Sequence, residues 1–227
     1  MFVRNESGLK LALFDIDETL LSFNSMRSFI SFFFTHYYGD SLGLKKLEDY
    51  QLKINGMINS YSREVMNKFY YTNYAGIDKS VLDEISKKWF EINVENNEEA
   101  FNRSILNLLE KHKRSRFKIV LVSGGFFATV NHLVKHLSVD DYLYVTPTVV
   151  GGVLTGEIEG VQTIGSGKSR AVLEYFQNDE IDWGTSYAYG DHISDLPMLS
   201  LVGNPVAVGA NLQLLEIARE KKWKIIL

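Results

Sequence analysis

Four short apolar runs, each followed by polar or glycine-rich residues, restrict the fold more than any other feature of the chain. They cover residues 10–14, 118–122, 187–189 and 205–208. Apolar runs of this length without alternation are typical of parallel strands covered on both faces. Helical patterns lie between and after them, over residues 100–113, 126–137, 168–176, 195–201 and 212–221. This succession predicts an α/β fold: a doubly wound (Rossmann-like), mainly parallel sheet with helices on both faces.

Residues 23–99 interrupt this alternation. They contain no convincing strand, and apolar residues such as Met26, Ile30 and Phe33 recur at helical spacing. We therefore expect an all-helical domain of residues 23–99, inserted into an α/β domain made of residues 1–22 and 100–227. A glycine-punctuated run over residues 149–156 predicts a β-hairpin.

The composition is that of a globular protein and argues against several classes of function. The chain has 227 residues, of which 45% are hydrophobic and 23% charged, and a net charge of −4. Without a clustered basic face, a nucleic-acid partner is not expected. The absence of cysteine excludes disulfides and thiol chemistry. No apolar run reaches the ~20 residues of a membrane span.

The location of the protein is predicted only by default. The first ten residues show no signal peptide, so we expect a cytoplasmic protein, although secretion by a signal-less route would leave no mark in the sequence. No pattern in the chain indicates its oligomeric state.

Two carboxylates follow the first apolar run at a spacing of two residues. Asp15 and Asp17 occur in the sequence Asp15-Ile16-Asp17-Glu18-Thr19. In an extended strand, side chains two residues apart point to the same side. Charges are rare in protein interiors unless they are paired or bound to a metal ion. The pair therefore predicts a site where a cation lies beside a carboxylate that attacks or protonates a substrate.

Three further motifs place polar residues at the ends of the other predicted strands or nearby. Ser123 precedes Gly124-Gly125, Lys168 lies in a glycine- and serine-rich turn, and Asp191 and Asp195 follow the third strand. Mg2+ prefers hard oxygen ligands, a helix start binds phosphate oxygens, and a lysine supplies a balancing charge. Ligands of such sheets bind beyond the carboxyl ends of the strands, so these residues predict a phosphate and magnesium site there.

With these four motifs in order, the chain resembles the haloacid dehalogenase superfamily of aspartate-nucleophile phosphatases. It is most similar to the phosphoserine-phosphatase-like branch (subfamily IB), whose helical cap is inserted after the first motif. The resemblance covers about 150 core residues. It implies that Asp15 is the nucleophile that forms an aspartyl-phosphate, and that Asp17 is the general acid and base.

The resemblance also implies which residues bind phosphate and metal. Thr19, Ser123 and Gly124 would bind the phosphoryl oxygens, and Lys168 would neutralise phosphate and Asp15. The Asp15 carboxylate, the Asp17 backbone carbonyl and Asp191 would hold Mg2+. Asp195 would bind the ion indirectly or orient its waters.

The chain departs from the phosphoserine enzymes at the positions that would recognise the substrate. Asn24 stands where those enzymes carry a glutamate for the substrate amine. No arginine motif for the substrate carboxylate is evident, which leaves Arg27 and Arg63 as candidates. His192 and Ser194 replace the usual residues of the fourth motif. We expect Asn24, Arg27, His192 and Ser194 to be candidate specificity residues, and phosphoserine to be a doubtful substrate.

The sequence thus predicts a Mg2+-dependent phosphatase that hydrolyses a phosphomonoester, on a phosphorylated small molecule or a phosphoprotein, under a helical cap that closes over the site. A phosphotransferase, or a phosphotyrosine or phosphoserine protein phosphatase, would use the same chemistry. A non-catalytic binding module and a metal-free dehalogenase are less compatible with the clustered charges.

Overall fold

The computed structural model describes residues 8–227 as strands and helices in alternation, with one long helical interruption. The strands are β1 (Leu11–Phe14), β2 (Lys118–Val122), β3 (Asp141–Leu143), β4 (Thr146–Val150), β5 (Val153–Glu159), β6 (Tyr187–Gly190), β7 (Asn204–Val208) and β8 (Lys224–Ile226). The helices are α1 (Ser25–Tyr38), α2 (Asp40–Met57), α3 (Arg63–Thr72), α4 (Lys79–Phe90), α5 (Arg103–Arg114), α6 (Phe127–Leu137), α7 (Ser166–Tyr175), α8 (Leu196–Leu199) and α9 (Leu212–Glu220).

Six strands form one parallel sheet in the order β3-β2-β1-β6-β7-β8. The predicted fold class is therefore confirmed, and each of the four predicted strands is present to within one residue at either end. The two edge strands, β3 and β8, were not predicted. Each has three residues, none of them fully buried, so neither produces a distinct apolar run.

The sheet is covered on both faces because successive side chains of a strand point in opposite directions. In β1, Ala12 and Phe14 belong to one apolar core, while Leu11 and Leu13 belong to the other. All four residues are fully buried. This explains why β1 is a continuous apolar run rather than an alternating one.

The predicted core helices are present, with shifted ends. The prediction began α5 at residue 100, but the structure begins it at Arg103, because the Asn102 side chain accepts hydrogen bonds from the backbone N–H groups of the first turn. The prediction of a helix over 195–201 was too long, since α8 ends at Leu199 and is preceded by the 3-10 turn Ile193–Asp195. No helix within residues 8–227 is long and apolar enough to cross a bilayer.

Helices α1 to α4 lie between β1 and β2 in the chain, and we call residues 23–99 the helical segment. Its interior is aromatic: Phe29 contacts the ring of Trp89 edge-on at 5.6 Å between centroids. Phe29 also contacts the ring of Phe126, outside the segment, at 5.8 Å. Helix α2 is different, because it packs mainly against α1 and buries only Gly43. A Cβ on Gly43 would lie 2.5 Å from the Phe34 carbonyl oxygen, so this residue lets the two helices approach closely.

The predicted hairpin is confirmed and is longer than expected. Strands β4 and β5 pair antiparallel around Gly151 and Gly152, which both have positive φ angles. The hairpin also bonds to the helical segment through the backbone. Gly76 N–H donates to Leu154 O across 2.8 Å, and Leu154 N–H donates to Ile77 O across 2.9 Å.

Candidate active site

The carboxyl ends of three neighbouring strands meet at one place. Asp15 directly follows β1, Ser123 follows β2 and Asp191 follows β6. The chain turns away from the sheet after each strand, so these side chains border one cavity of about 440 Å³. This is the position at which ligands of open α/β sheets bind.

A tight turn after β1 brings Asp15 and Asp17 to the cavity. Asp15 keeps an extended backbone, and its N–H donates to Tyr189 O across 3.0 Å, which continues the sheet. Glu18 has a φ angle of 57°, and Leu21 N–H closes the turn on Ile16 O at 2.9 Å. Both aspartates line the cavity, as the spacing of two residues predicts.

A buried lysine joins two carboxylates at the base of the cavity. Lys168 Nζ lies 2.5 Å from Asp15 Oδ1 and 2.6 Å from Asp195 Oδ1. All three side chains are at most 8% exposed. Burial lowers the pKa of Lys168, but the charges of Asp15 and Asp195 outweigh this and raise it overall, so the ammonium stays protonated.

A third carboxylate, that of Asp191, lies close to the two that contact Lys168. Oxygens of Asp15, Asp191 and Asp195 lie within 4.8 Å of one another. Burial, followed by the charges of Asp15 and Asp195, raises the pKa of Asp191 to about 8, and burial raises the pKa of Asp15. The protein charges alone leave these carboxylates poorly compensated, and their hard oxygens fit a divalent cation such as Mg2+.

Asp17 lies outside that group of carboxylates and has a different environment. Its Oδ1 accepts a hydrogen bond from the Ser25 N–H, at the first turn of α1, across 2.8 Å. Burial, followed by the charge of Asp15, raises the pKa of Asp17 to about 6. A carboxyl group with that pKa can both donate and accept a proton near neutral pH.

Two hydroxyl groups lie beside the carboxylates. Thr19 Oγ1 is 3.2 Å from both Asp15 Oδ2 and Asp191 Oδ1. Ser123 Oγ accepts the Gly125 N–H across 2.9 Å, and Thr163 Oγ1 donates to the Ser123 carbonyl. Ser123 lines the cavity and its hydroxyl accepts in the first of these bonds, so the hydroxyl hydrogen is available for a ligand there.

The helical segment fixes the loop that follows β2. Asn67 Nδ2 and Tyr71 Oη, both on α3, donate to the Gly124 carbonyl across 2.9 and 2.8 Å. Gln162 Nε2 donates to Asn67 Oδ1 across 2.7 Å. Sequence reasoning missed these residues, because a tyrosine or asparagine on a helix gives no local sign of a partner more than 50 residues away.

The backbone just before Lys168 passes very close to the Gln162 carbonyl, and this contact sets the position of Lys168. A Cβ on Gly167 would lie 1.8 Å from the Gln162 carbonyl oxygen, so only glycine fits there. Gly165, which precedes α7, has a φ angle of 55° that also favours glycine. Helix α7 begins at Ser166, two residues before the predicted start, and presents Lys168 in its first turn.

The loop after β6 folds back on itself. Asp195 Oδ2 accepts the His192 N–H across 3.1 Å, and His192 Nδ1 lies 3.0 Å from the Ser194 nitrogen. A Cβ on Gly190 would lie 2.6 Å from the Asp195 Cβ, which explains a glycine at the end of β6. Burial, followed by the positive charge of Arg63, lowers the pKa of His192.

All four candidate specificity residues line the cavity, together with Arg63. Asn24 also has a structural contact, because its side-chain oxygen accepts the Arg27 N–H across 3.0 Å at the start of α1. The cavity is lined on the sheet side by Asp15, Asp17, Glu18, Ser123, Gly124, Ile164, Lys168, Asp191, His192, Ser194 and Asp195. On the side of the helical segment it is lined by Asn24, Met26, Arg27, Ile30, Ser31, Leu47, Tyr50, Gln51, Ile54, Asn55, Ile58, Arg63, Met66, Asn67 and Tyr70.

Comparisons with known proteins find relatives that match either about half of the chain or most of it. A phosphoserine phosphatase of Mycobacterium tuberculosis is 29% identical over 118 residues, which are 52% of this chain and 38% of that protein. A putative hydrolase of Mycobacterium leprae is 25% identical over 223 residues, covering 94% of this chain and 71% of that protein. The chain thus spans about four tenths of the length of the first curated relatives it matches.

Solved structures share the fold. A Bordetella pertussis protein of unknown function has a TM-score of 0.84 at 22% identity, covering 97% of this chain and 99% of that one. A phospho-aspartyl intermediate analogue of phosphoserine phosphatase has a TM-score of 0.69 at 20% identity, covering 97% and 94%.

The family model for haloacid dehalogenase-like hydrolases matches residues 12–200, from β1 through the helical segment to the loop after α8. This match contains the four motifs that meet at the cavity, and the chain is therefore a member of the haloacid dehalogenase-like hydrolase family.

Proposed function

We propose that this protein is a Mg2+-dependent phosphatase that hydrolyses a phosphomonoester through an aspartyl-phosphate on Asp15. The observation that carries this proposal is the contact of Lys168 Nζ with Asp15 Oδ1, which opposes the rise in the Asp15 pKa that burial causes and so favours the carboxylate form. The carboxylate form of Asp15 is the nucleophile. The relatives named phosphoserine phosphatase support a phosphate ester as the substrate.

The first step is a transfer of the phosphoryl group to the protein. An Asp15 carboxylate oxygen attacks phosphorus, the bond from phosphorus to the ester oxygen breaks, and the alcohol leaves with a proton from Asp17. The pKa of about 6 gives Asp17 a protonated fraction near neutral pH. Lys168, Thr19, Ser123 and the Gly124 N–H hold the phosphoryl oxygens.

The second step releases phosphate and restores Asp15. Asp17, now ionised, takes a proton from water, whose oxygen attacks the phosphorus of the aspartyl-phosphate. The bond from phosphorus to the Asp15 oxygen breaks, and inorganic phosphate leaves. One residue therefore serves as acid and then as base.

The metal ion supplies charge compensation for the phosphoryl oxygens when it is bound. We propose that Asp15 and Asp191 hold it with the Asp17 backbone carbonyl, and that Asp195 orients its waters. Asp195 already receives hydrogen bonds from Lys168 and from the His192 N–H, which supports this outer role.

We further propose that residues 23–99 act as the cap and that residues 1–22 and 100–227 form the catalytic core, of which residues 1–7 lie outside the described part of the chain. The helical segment supplies more than half of the residues around the cavity, which supports a role in shielding the reaction from water. Phosphoserine itself is disfavoured, because Asn24 offers a neutral amide in place of a carboxylate for the substrate amine.

The test is phosphate release from phosphoserine, phosphotyrosine, sugar phosphates and an aryl phosphate, with Mg2+ and with EDTA. We expect metal-dependent release from at least one ester, and its loss in Asp15→Asn. The control variant Asp179→Asn removes an exposed carboxylate away from the cavity and keeps full activity. Full activity of Asp15→Asn, with deamidation excluded by mass spectrometry, contradicts the proposal.

The same assay separates hydrolysis from transfer to a second alcohol. We expect free phosphate to equal the alcohol product even with excess glycerol present. A deficit of phosphate would identify a phosphotransferase instead.

A further inference from the structure

We propose that the substrate is an amphiphilic phosphomonoester, whose alcohol carries an extended apolar chain that binds against α2. This inference deepens the proposed function and rests on it. The observation that carries it is the set of aliphatic side chains that the helical segment contributes to the lining of the cavity.

The cavity has a polar end and an apolar end. The polar end consists of Asp15, Asp17, Ser123, Lys168 and Asp191, which account for a phosphoryl group and a metal ion. The helical segment also contributes six aliphatic side chains to the lining, namely Met26, Ile30, Leu47, Ile54, Ile58 and Met66. An apolar chain that lies against these six side chains buries its surface without leaving a polar group unpaired.

Helix α2 presents one continuous face to the cavity. Its lining residues, with the one that follows it, are Leu47, Tyr50, Gln51, Ile54, Asn55 and Ile58, a spacing that repeats by three and four residues. This face is about 16 Å long, since eleven residues separate its ends at 1.5 Å each. A surface of that length fits an extended alkyl chain better than a compact alcohol.

The apolar lining continues to the protein surface. Ile58 lines the cavity and is 51% exposed, and the neighbouring Tyr61 and Val65 are 55% and 42% exposed. A chain longer than the cavity would therefore leave it past Ile58, whose side chain is partly open to solvent.

The charges at the cavity favour an anion with a neutral chain. Every acidic residue that lines it lies in Asp15–Glu18 or Asp191–Asp195, at the polar end. The helical segment contributes Arg27 and Arg63 and no acidic lining residue. An ammonium group on a part of the alcohol that lies against Arg27 or Arg63 would therefore meet like charge.

The experiment compares ethyl, butyl and hexyl phosphate, each below its micelle-forming concentration, in the presence of Mg2+. Burying one methylene contributes at most about a fourfold gain in affinity. We expect kcat/KM to rise by roughly twofold to fourfold per methylene, because the chain is bound in both the ground state and the transition state.

Two variants on the cavity face of α2 locate the chain. Ile54→Ser and Ile58→Ser are expected to flatten the dependence of kcat/KM on chain length, so that the value for hexyl phosphate falls by more than the value for ethyl phosphate. Leu52→Ser is the matched control, since Leu52 lies on the same helix, is 73% exposed and does not line the cavity. Equal effects of all three substitutions would contradict the assignment to this face.

A binding measurement separates this inference from the proposed function. Calorimetry with ethylphosphonate and hexylphosphonate, which cannot be hydrolysed at the phosphorus–carbon bond, is expected to show tighter binding of the longer compound. Equal binding, or kcat/KM independent of chain length, overturns the inference while phosphatase activity stands. Absence of phosphate release from every ester tested overturns the proposed function and this substrate class together.

Discussion

Tyr71, on α3, donates its hydroxyl hydrogen to the carbonyl of Gly124, in the loop that follows β2, across 2.8 Å. The two residues are 53 positions apart in the chain. This bond and the parallel one from Asn67 connect the helical segment to the loop that we propose binds phosphate. The position of α3 and the shape of that loop are therefore linked.

Tyr71→Phe removes one of the two hydrogen bonds to the Gly124 carbonyl. We expect a loss of about 1 kcal/mol in the free energy of unfolding, since Asn67 still satisfies the carbonyl. We also expect weaker inhibition by inorganic phosphate, because the loop is less constrained. The control is Tyr74→Phe, whose hydroxyl bonds only Tyr70 and leaves the loop untouched. An unchanged inhibition constant in Tyr71→Phe would contradict the link.

Metal binding is predicted to stabilise the fold. At a hundredfold excess over its dissociation constant, Mg2+ would raise the free energy of unfolding by about 3 kcal/mol, and EDTA would reverse this. Asp191→Asn should abolish the gain. Without the ion this variant should be at least as stable as the wild type, because one of three crowded carboxylates is removed. A Mg2+-induced rise in Tm that persists in Asp191→Asn would count against this metal site.

Acid is predicted to destabilise the protein partly through His112. This ring is buried beside Tyr189, with Nε2 2.7 Å from the phenol oxygen, and burial lowers its pKa to about 4. In the unfolded chain His112 therefore takes up a proton near pH 6.5, whereas in the folded protein it stays neutral until the pH approaches 4. The resulting stabilisation is complete above pH 6.5 and is lost as the pH falls toward 4.

The measurement is urea unfolding at pH 7 and pH 5. Between these values His112 should account for a loss of about 1 to 2 kcal/mol. We expect His112→Asn to be less stable at pH 7 but to lose less stability on acidification. His36→Asn, at an exposed position on α1, should keep the wild-type dependence. Identical slopes for the wild type and His112→Asn would refute this assignment.

Gly167→Ala is predicted to damage both the fold and the site, because its Cβ would lie 1.8 Å from the Gln162 carbonyl oxygen. Relief of that clash must shift the start of α7, which carries Lys168. We expect a loss of more than about 2 kcal/mol in stability and a large fall in kcat. Gly56→Ala is the matched control in another helix, where nothing lies within 4 Å of the new Cβ. It should stabilise by about 0.5 to 1 kcal/mol. A wild-type kcat in Gly167→Ala would show that the position of Lys168 does not depend on the close contact between Gly167 and the Gln162 carbonyl.

The sequence alone predicts the centre of the fold and of the site well. Continuous apolar runs identify β1, β2, β6 and β7, since each is covered on both faces. Because these parallel strands all end at one edge of the sheet, the sequence also predicts that Asp15, Ser123 and Asp191, which follow three of them, lie at that edge.

Features that depend on distant contacts escaped prediction. Strands β3 and β8 have no apolar run of their own and exist because a neighbouring strand offers backbone groups. Asn67 and Tyr71 occupy ordinary helical positions, and only the three-dimensional structure brings them to Gly124. The contact of Asp17 with the start of α1 is likewise invisible in the spacing of residues.

The hairpin of β4 and β5 has a consequence for how a substrate enters. Gly76 and Ile77, just before α4, are bonded through the backbone to Leu154, and the Lys79 N–H donates to the Gly152 carbonyl. The part of the helical segment around α3 and α4 is thus anchored to the hairpin, in addition to the bonds of Asn67 and Tyr71 to Gly124. A rigid swing of the whole segment would break these bonds together, whereas α2 rests mainly on α1. Helix α2 lines the cavity and takes part in none of these bonds, so it can move away from the carboxylates while the bonds stay intact.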